Sequence, residues 1–199
     1  MYAYAILPLY IRSGKGFALS QIFFSRHWAG KLNFLFRRRE TVKMQLLIVF
    51  LVLLFVFGLL IEAYIDFRKE IILDEVLILL LFAGLAYTGF SRIVWTQPFY
   101  GALTGSGLLG LIYIVSKGGM GLGDVKFAGV LGIWTGFPGI LINLYLAFSI
   151  GGVIALLLCI LHKADMKSRI PFGPCLSAGA ILSFFFSSRI LDWYWSLFL

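Results

Sequence analysis

The feature that most constrains this chain is a series of long apolar runs separated by short polar segments. A helix needs roughly 20 apolar residues to cross the hydrocarbon core of a bilayer. Hydrophobic residues make up 61% of the 199 positions and charged residues only 13%, which is more apolar surface than one soluble core could bury. We therefore predict an all-α fold, a polytopic membrane helical bundle of about six transmembrane segments.

The predicted segments and domains follow from the positions of these runs. The six runs cover residues 44–65, 72–90, 98–116, 124–136, 138–161 and 171–188. The fourth is too short to span a bilayer alone, but it can reach deep if the glycines before it lie inside the protein. We divide the chain into an N-terminal extension, residues 1–43, a membrane domain, residues 44–191, and an interfacial aromatic tail, residues 192–199.

Two interpretations of residues 1–43 remain open. Three consecutive arginines, Arg37, Arg38 and Arg39, lie near the end of this stretch, on the side of the membrane opposite to the other basic segments. The stretch is either an amphipathic or re-entrant extension, or a segment upstream of a true translation start at Met44.

The positive charge predicts membrane orientation rather than nucleic-acid binding. The formal charge is +8, but the basic residues lie in short segments between the apolar runs. Cytoplasmic loops of membrane proteins are enriched in lysine and arginine. We therefore expect the loops 66–71, 116–123 and 162–170 to be cytoplasmic; their basic residues are Arg68, Lys69, Lys117, Lys163, Lys167 and Arg169.

Cysteine and histidine positions predict neither a metal site nor a cofactor. Cys159 and Cys175 lie in or beside apolar runs without paired spacing, which is typical of small apolar fillers. His27 and His162 have no potential ligand partner at useful spacing. We expect no metal and no cofactor.

Two aspartates at the ends of apolar runs are the candidate catalytic residues. Asp66 closes the first run and Asp124 opens the fourth, so two intervening helices can bring both carboxyl groups to the same side. Two carboxylates that share a site cannot both ionise cheaply, so one keeps its proton. A general acid beside a general base can activate water for attack on an amide.

Each aspartate also has a structural explanation. Asp66 can be a hydrated residue at a helix end beside Arg68, and Asp124 can be only the N-cap of the next helix. Glu62, one turn before Asp66, is expected either to pair with a lysine or to face the cavity, with structural use favoured. The position and pairing of the two aspartates favour the dyad.

The glycine-rich stretch before Asp124 predicts unusual backbone geometry. We expect these glycines to adopt positive φ and to allow close approach of another chain; they are Gly118, Gly119, Gly121 and Gly123. We also expect the amides at the N-terminus of the following helix to favour the charged form of Asp124.

Three motifs resemble those of the type IV prepilin peptidase family, and they occur in the same order. They are Tyr64-Ile65-Asp66, then Gly119-Met120-Gly121-Leu122-Gly123-Asp124-Val125-Lys126, then Arg169-Ile170-Pro171-Phe172-Gly173-Pro174. The resemblance covers residues 44–191. It implies an intramembrane aspartic endopeptidase of the cell membrane whose active site faces the cytoplasm, with Asp66 and Asp124 as the catalytic pair.

The resemblance also implies a substrate and supporting residues. The expected partners are membrane lipid and prepilin or pseudopilin precursors, from which a short basic leader is removed on the cytoplasmic face. The motif positions that would support the substrate or the site are Gly119, Gly121, Gly123, Lys126, Pro171, Gly173 and Pro174.

Two features depart from the family pattern. Residues 1–43 lack the paired cysteine motifs of bifunctional members, so methyltransferase activity is not supported. Leu73 precedes Asp74 where that family has Pro-Asp, which weakens the match in this loop but leaves Asp66 in place.

Two other functions fit part of the sequence. Gly121-Leu122-Gly123-Asp124 also resembles the motif of presenilin and signal peptide peptidase, but the Pro-Ala-Leu of those proteases is missing. A small transporter that relays ions through the aspartates should show inverted repeats, and the sequence has no convincing internal repeat.

Overall fold

The computed structural model describes residues 16–91, 93–117, 119–161 and 171–196, with side chains from residue 42 onward except that of Trp195. The regular structure in these ranges is helical, and they contain no strand. The helices are α1 (Gly16–Lys69), α2 (Asp74–Phe90), α3 (Thr96–Val115), α4 (Leu122–Thr135), α5 (Gly139–Ile160) and α6 (Gly173–Ser196). The prediction of an all-α fold is confirmed.

The chain divides into two compact units. The first, Met1–Leu47, contains the beginning of α1, which is helical from Gly16 onward. The second, Ile48–Leu199, contains the rest of α1 and the five other helices. All the contacts described below lie within this second unit.

Within the described ranges, four helices are long and apolar enough to cross a membrane. They are Val42–Lys69, Thr96–Val115, Gly139–Ile160 and Gly173–Tyr194. The helices α2 and α4 have 17 and 14 residues, which correspond to about 25 and 21 Å against a hydrocarbon core of about 30 Å. The protein is therefore an integral membrane protein with two shorter helices packed among spanning ones.

Two helices extend beyond their predicted ends. The first continues through Lys69, so Asp66 lies inside its last turn rather than beyond it. The last continues through Ser196, so the predicted tail is helical to that point, with Trp193 and Tyr194 exposed. The basic residues of loop 162–170, which we predicted to be cytoplasmic, lie outside the described residues. Arg92 and Gly118 also lie outside them.

Glycines bring α3 and α4 into backbone contact. A Cβ atom added at Gly101 would meet the carbonyl oxygen of Gly132, and one added at Gly132 would meet that of Gly101. One turn away, a Cβ at Gly105 would lie 2.5 Å from the carbonyl oxygen of Ala128. Small residues four positions apart are the usual means of close helix packing in lipid. This packing fixes α4, which is too short to be held by span length alone.

A cluster of four aromatic rings joins α1, α2, α4 and α6. The rings of Phe55 and Trp134 stack with centroids 4.2 Å apart, and Tyr87 and Phe184 pack around them. The Trp134 Nε1–H donates to the carbonyl oxygen of Leu80 at 2.9 Å, which satisfies the polar atom of a buried ring.

Contacts between helix ends show which ends lie together. The start of α4 meets the start of α2 through an ion pair between Lys126 and Asp74. The start of α6 meets the last turn of α1 through a hydrogen bond between Gly173 and Asp66. We call residues 66–74, 121–126 and 171–174 the motif end of the bundle. The helices therefore alternate in direction, as the sequence predicts.

Candidate active site

Asp66 is buried where the last turn of α1 meets the first residue of α6. Its side chain is 5% exposed, and the backbone N–H of Gly173 donates to its Oδ2 at 2.8 Å. A Cβ atom added at Gly173 would lie 2.6 Å from the same oxygen. The contact therefore requires glycine at position 173, and a hydrated helix-end role for Asp66 does not fit its burial.

Asp124 is buried in the first turn of α4. Its side chain is 8% exposed, and the N-cap of the helix is Gly121, not Asp124. The Asp124 carboxyl group accepts a hydrogen bond from the backbone N–H of Gly121. Asp124 therefore contributes to capping from the third helical position, as acidic residues often do. The interpretation of Asp124 as the N-cap residue itself is wrong, because Gly121 occupies that position.

The electrostatic surroundings of Asp124 place it near Asp66. The pKa of Asp124 is raised to about 6, first by burial and second by repulsion from the Asp66 carboxylate. The hydrogen bond from Gly121 lowers the pKa of Asp124 but does not outweigh the other two effects. A backbone amide at the start of α4 thus favours the charged form of Asp124, as expected, but burial and the Asp66 charge have the larger effect.

The glycines of the motif act by close approach rather than by positive φ. Gly121 has φ −74°, and within the described ranges the glycine with positive φ is Gly136, in the turn between α4 and α5. A Cβ at Gly121 would lie 3.3 Å from Asp124 Oδ2, and one at Gly123 would lie 3.2 Å from Ile72 Cβ. The predicted positive φ is wrong for these two glycines, and Gly118 lies outside the described residues.

Gly119 and Lys126 flank the buried part of this motif. A Cβ at Gly119 would lie 3.2 Å from Ser116 Cβ, within the turn that follows α3. Lys126 Nζ donates to both carboxylate oxygens of Asp74 at 3.0 Å, and both side chains are about half exposed. Exposed pairs contribute about 0–1 kcal/mol, so this one mainly orients the two helix starts.

The second motif shapes the start of α6. Gly173 is buried, whereas Pro171 and Pro174 are half-buried on either side of it. Pro174 lies in the first turn of α6, where its missing N–H costs nothing. The Phe172 ring packs on Phe148 of α5 with centroids 5.0 Å apart. These contacts fix the Gly173 N–H that points at Asp66.

Glu62, which we expected either to pair with a lysine or to face the cavity, with structural use favoured, is a buried acidic residue. Its side chain is fully buried, and Oε2 accepts the backbone N–H of Leu73 at 3.4 Å. Its Oε1 has no hydrogen-bond partner among the described residues. The spacing of one helical turn from Asp66 was the sequence signal, because residues four apart share a helix face.

Among the described residues, the other potential ligands form no cluster suited to a metal ion. In the part of the chain that the structure describes, no group of three or more histidine, cysteine or acidic side chains could hold an ion. Cys175 is buried and Cys159 is exposed.

Sequence comparison places these residues in a known family. A sequence model described as the type IV leader peptidase family matches residues 52–156, which include both aspartates and the glycine motif.

Similar proteins of three bacteria have one description, "Prepilin leader peptidase/N-methyltransferase". That of Stutzerimonas stutzeri is 28% identical over 148 residues, 71% of this chain and 51% of that protein. That of Aeromonas salmonicida (strain A449) is 30% identical over 142 residues, 68% of this chain and 49% of that protein. That of Escherichia coli (strain K12) is 30% identical over 125 residues, 60% of this chain and 55% of that protein.

The chain spans about half the length of these curated relatives. No solved structure matches it. Because the family model covers more than half of the chain and both buried aspartates, this protein belongs to the type IV leader peptidase family.

Proposed function

We propose that this protein is an intramembrane aspartic endopeptidase that removes the basic leader from prepilin or pseudopilin precursors. The observation that carries the proposal is the burial of Asp66 and Asp124 at the motif end, close enough for one charge to raise the pKa of the other. Buried acidic groups that repel each other are expensive in a membrane protein, and such groups usually serve a function.

In the proposed reaction the two aspartates handle one water molecule. One carboxylate removes a proton from the water as the water oxygen attacks the peptide carbonyl carbon. The other, protonated carboxyl group donates a hydrogen bond to the carbonyl oxygen and stabilises the tetrahedral intermediate. A proton then passes to the amide nitrogen as the C–N bond breaks, which leaves a new carboxyl terminus and a new amino terminus.

The surroundings of the dyad support an apolar substrate with a polar leader. Four helices of this protein are suited to cross a membrane, so a substrate helix can lie in the same bilayer. The names of the similar proteins, prepilin leader peptidases, support prepilins as the substrate class. We also propose that the motif end faces the cytoplasm, because it carries Arg68 and Lys69.

The test is cleavage of a prepilin-like substrate by the purified protein in proteoliposomes. We expect Asp66→Asn and Asp124→Asn each to lower the cleavage rate by about a hundredfold or more, since general acid–base groups contribute roughly 10²–10⁴. Gel filtration and thermal unfolding would establish that both variants still fold.

The matched control is Asp192→Asn, the same chemical change at an exposed position of α6. We expect it to cleave at the wild-type rate. Cleavage that survives either Asp66→Asn or Asp124→Asn would contradict the dyad. Loss of ion flux with retained cleavage would instead support a transport function.

A further inference from the structure

Glu62 and the segment that precedes α2 form a connection between the two aspartates. Glu62 lies one turn before Asp66 on α1, and its Oε2 accepts the N–H of Leu73. The neighbouring residue Ile72 packs its Cβ 3.2 Å from where a Cβ of Gly123 would lie. Gly123 directly precedes Asp124. A single segment thus contacts the helix of one aspartate and the residue beside the other.

Among the described residues, the Leu73 N–H donates to the Glu62 carboxylate. Leu73 is the N-cap residue of α2 and is extended, with φ −83° and ψ 117°, so its N–H lies outside the helical hydrogen bonds. An unpaired N–H at a half-buried position is costly, and a carboxylate oxygen is a strong acceptor. The distance between the Leu73 nitrogen and Glu62 Oε2 is 3.4 Å, which is long for a hydrogen bond. The bond therefore favours the observed position of the segment without holding it rigidly.

The complete burial of the Glu62 carboxyl group is costly. Its side chain is fully buried, and the second oxygen, Oε1, has no partner among the residues described. A leucine would fill such a position without the cost of desolvating a carboxyl group. Within the described residues its hydrogen bond goes to the Leu73 N–H, so segment 72–74 is where a role for the carboxyl group can be tested.

We propose that Glu62 is a positioning residue that holds segment 72–74 and thereby sets Asp124 relative to Asp66. Glu62 does not touch the substrate or the reacting water in this role. Displacement of the segment moves Ile72 away from Gly123 and also moves Asp74, which pairs with Lys126 two residues beyond Asp124. The inference rests on the proposed dyad, since it concerns the spacing of those two carboxyl groups.

The first test compares Glu62→Ala with Glu62→Gln in the full-length protein. Glutamine keeps an acceptor oxygen for the Leu73 N–H, whereas alanine removes it. We expect Glu62→Ala to lower kcat about tenfold with KM changed by less than about twofold, because misplaced catalytic groups slow the chemistry. Glu62→Gln should retain at least about half of the wild-type kcat. Equal losses in both variants, or an unchanged kcat in Glu62→Ala, would overturn the proposal.

The second test removes the donor instead of the acceptor. Leu73→Pro deletes the N–H at a φ close to the proline value of about −65°, and Leu73→Ala deletes the side chain but keeps the N–H. Glu62→Ala also leaves a cavity, but that cost is the same in every background. We therefore expect the loss of unfolding temperature caused by Glu62→Ala to be about 2–4 °C smaller in the Leu73→Pro background than in the wild-type and Leu73→Ala backgrounds. The same loss in all three backgrounds would overturn the link to Leu73.

The two readouts separate this inference from the proposed function. The unfolding temperatures measure the connection between Glu62 and Leu73 whether or not the protein cleaves prepilins. A wild-type protein that cleaves no substrate would contradict the dyad, whereas the coupling in unfolding temperature would still decide whether Glu62 holds the segment.

Discussion

At the scale of single residues, the contact between Gly173 and Asp66 requires glycine at position 173. The N–H of Gly173 donates to Asp66 Oδ2 at 2.8 Å, and no side chain fits at position 173. We expect Gly173→Ala to displace Asp66, to lower the cleavage rate at least about tenfold and to cost about 1–3 kcal/mol of stability. Cleavage kinetics and thermal unfolding measure the two effects.

The control for this change is Gly152→Ala in α5, where an added Cβ meets nothing within 4 Å. Alanine is favoured over glycine inside a helix by roughly 0.5–1 kcal/mol, so this variant should be slightly more stable and fully active. A fully active Gly173→Ala protein would show that the site tolerates a shifted Asp66.

Asp124 predicts a pH dependence of stability. Burial raises its pKa from 3.8 to about 6, so the folded protein binds this proton more tightly than the unfolded chain. The tighter binding of this proton stabilises the folded protein fully below about pH 4. The stabilisation falls between about pH 4 and 6 and is absent above that range. The full difference corresponds to about 3 kcal/mol in the free energy of unfolding. We expect Asp124→Asn to be more stable than the wild type at pH 7, with the advantage vanishing near pH 4.

Unfolding by heat at pH 4, 5, 6 and 7 would measure this difference. Asp192→Asn, at an exposed position, should stay within about 0.5 kcal/mol of the wild type throughout. An advantage of Asp124→Asn that does not change with pH would contradict the raised pKa. Such a result would favour a purely structural role for Asp124 at the start of α4.

At the scale of helices, hydropathy predicts that a helix exists and how long it is. It does not predict equally well which residues the helix contacts. The predicted second and fifth segments, 72–90 and 138–161, differ from α2 and α5 by two residues or fewer at each end. Hydropathy cannot show which face of a helix is buried, because lipid-facing and core-facing positions are both apolar. The contact between Gly173 and Asp66, which joins residues 107 positions apart, was therefore not predictable.

The packing of α3 on α4 was missed although a signal for it exists. The spacing Gly101 to Gly105 on α3 and Ala128 to Gly132 on α4 is the small-residue pattern of close helix contacts. Conversely, the glycines before Asp124 suggested positive φ because glycine permits several conformations. The atoms that surround a glycine determine whether it adopts positive φ or allows close packing.

This packing gives a prediction for α4. We expect Gly132→Ala to destabilise the protein by about 1–3 kcal/mol, because its Cβ would meet backbone atoms of Gly101 and Ala102 that cannot rotate away. Gly107→Ala on α3, whose Cβ meets nothing within 4 Å, should instead be neutral or slightly stabilising. Thermal unfolding in detergent compares the two, and similar results for both would show that the helices separate easily.

At the scale of the whole protein, the exposed apolar surface matches a lipid environment. Large side chains stand outside the core on several helices; Phe57, Phe82, Leu111 and Tyr145 are each at least 62% exposed. Polar and charged side chains that are buried include Glu62, Asp66 and Asp124 near the motif end. The bundle thus presents an apolar surface to lipid and keeps these three acidic groups inside.

The proposed orientation of the bundle is based on charge and on the alternation of its helices. The last turn of α1 and the turn after α3 carry Arg68, Lys69 and Lys117, and both precede elements of the motif end. Basic residues next to spanning helices favour the cytoplasmic side. Because the helices alternate, the segments between α2 and α3 and between α4 and α5 belong to the opposite side.

We therefore expect a cysteine at position 94 to face outward and one at position 71 to face the cytoplasm. Val94 and Ile71 are 64% and 57% exposed and lie in connecting segments, so either thiol should react with a maleimide. In a protein with Cys159→Ser and Cys175→Ala, a membrane-impermeant maleimide should label Val94→Cys in intact cells. It should label Ile71→Cys only after the cells are permeabilised. The reverse pattern would place both aspartates on the outer side, where a cytoplasmic leader could not reach them.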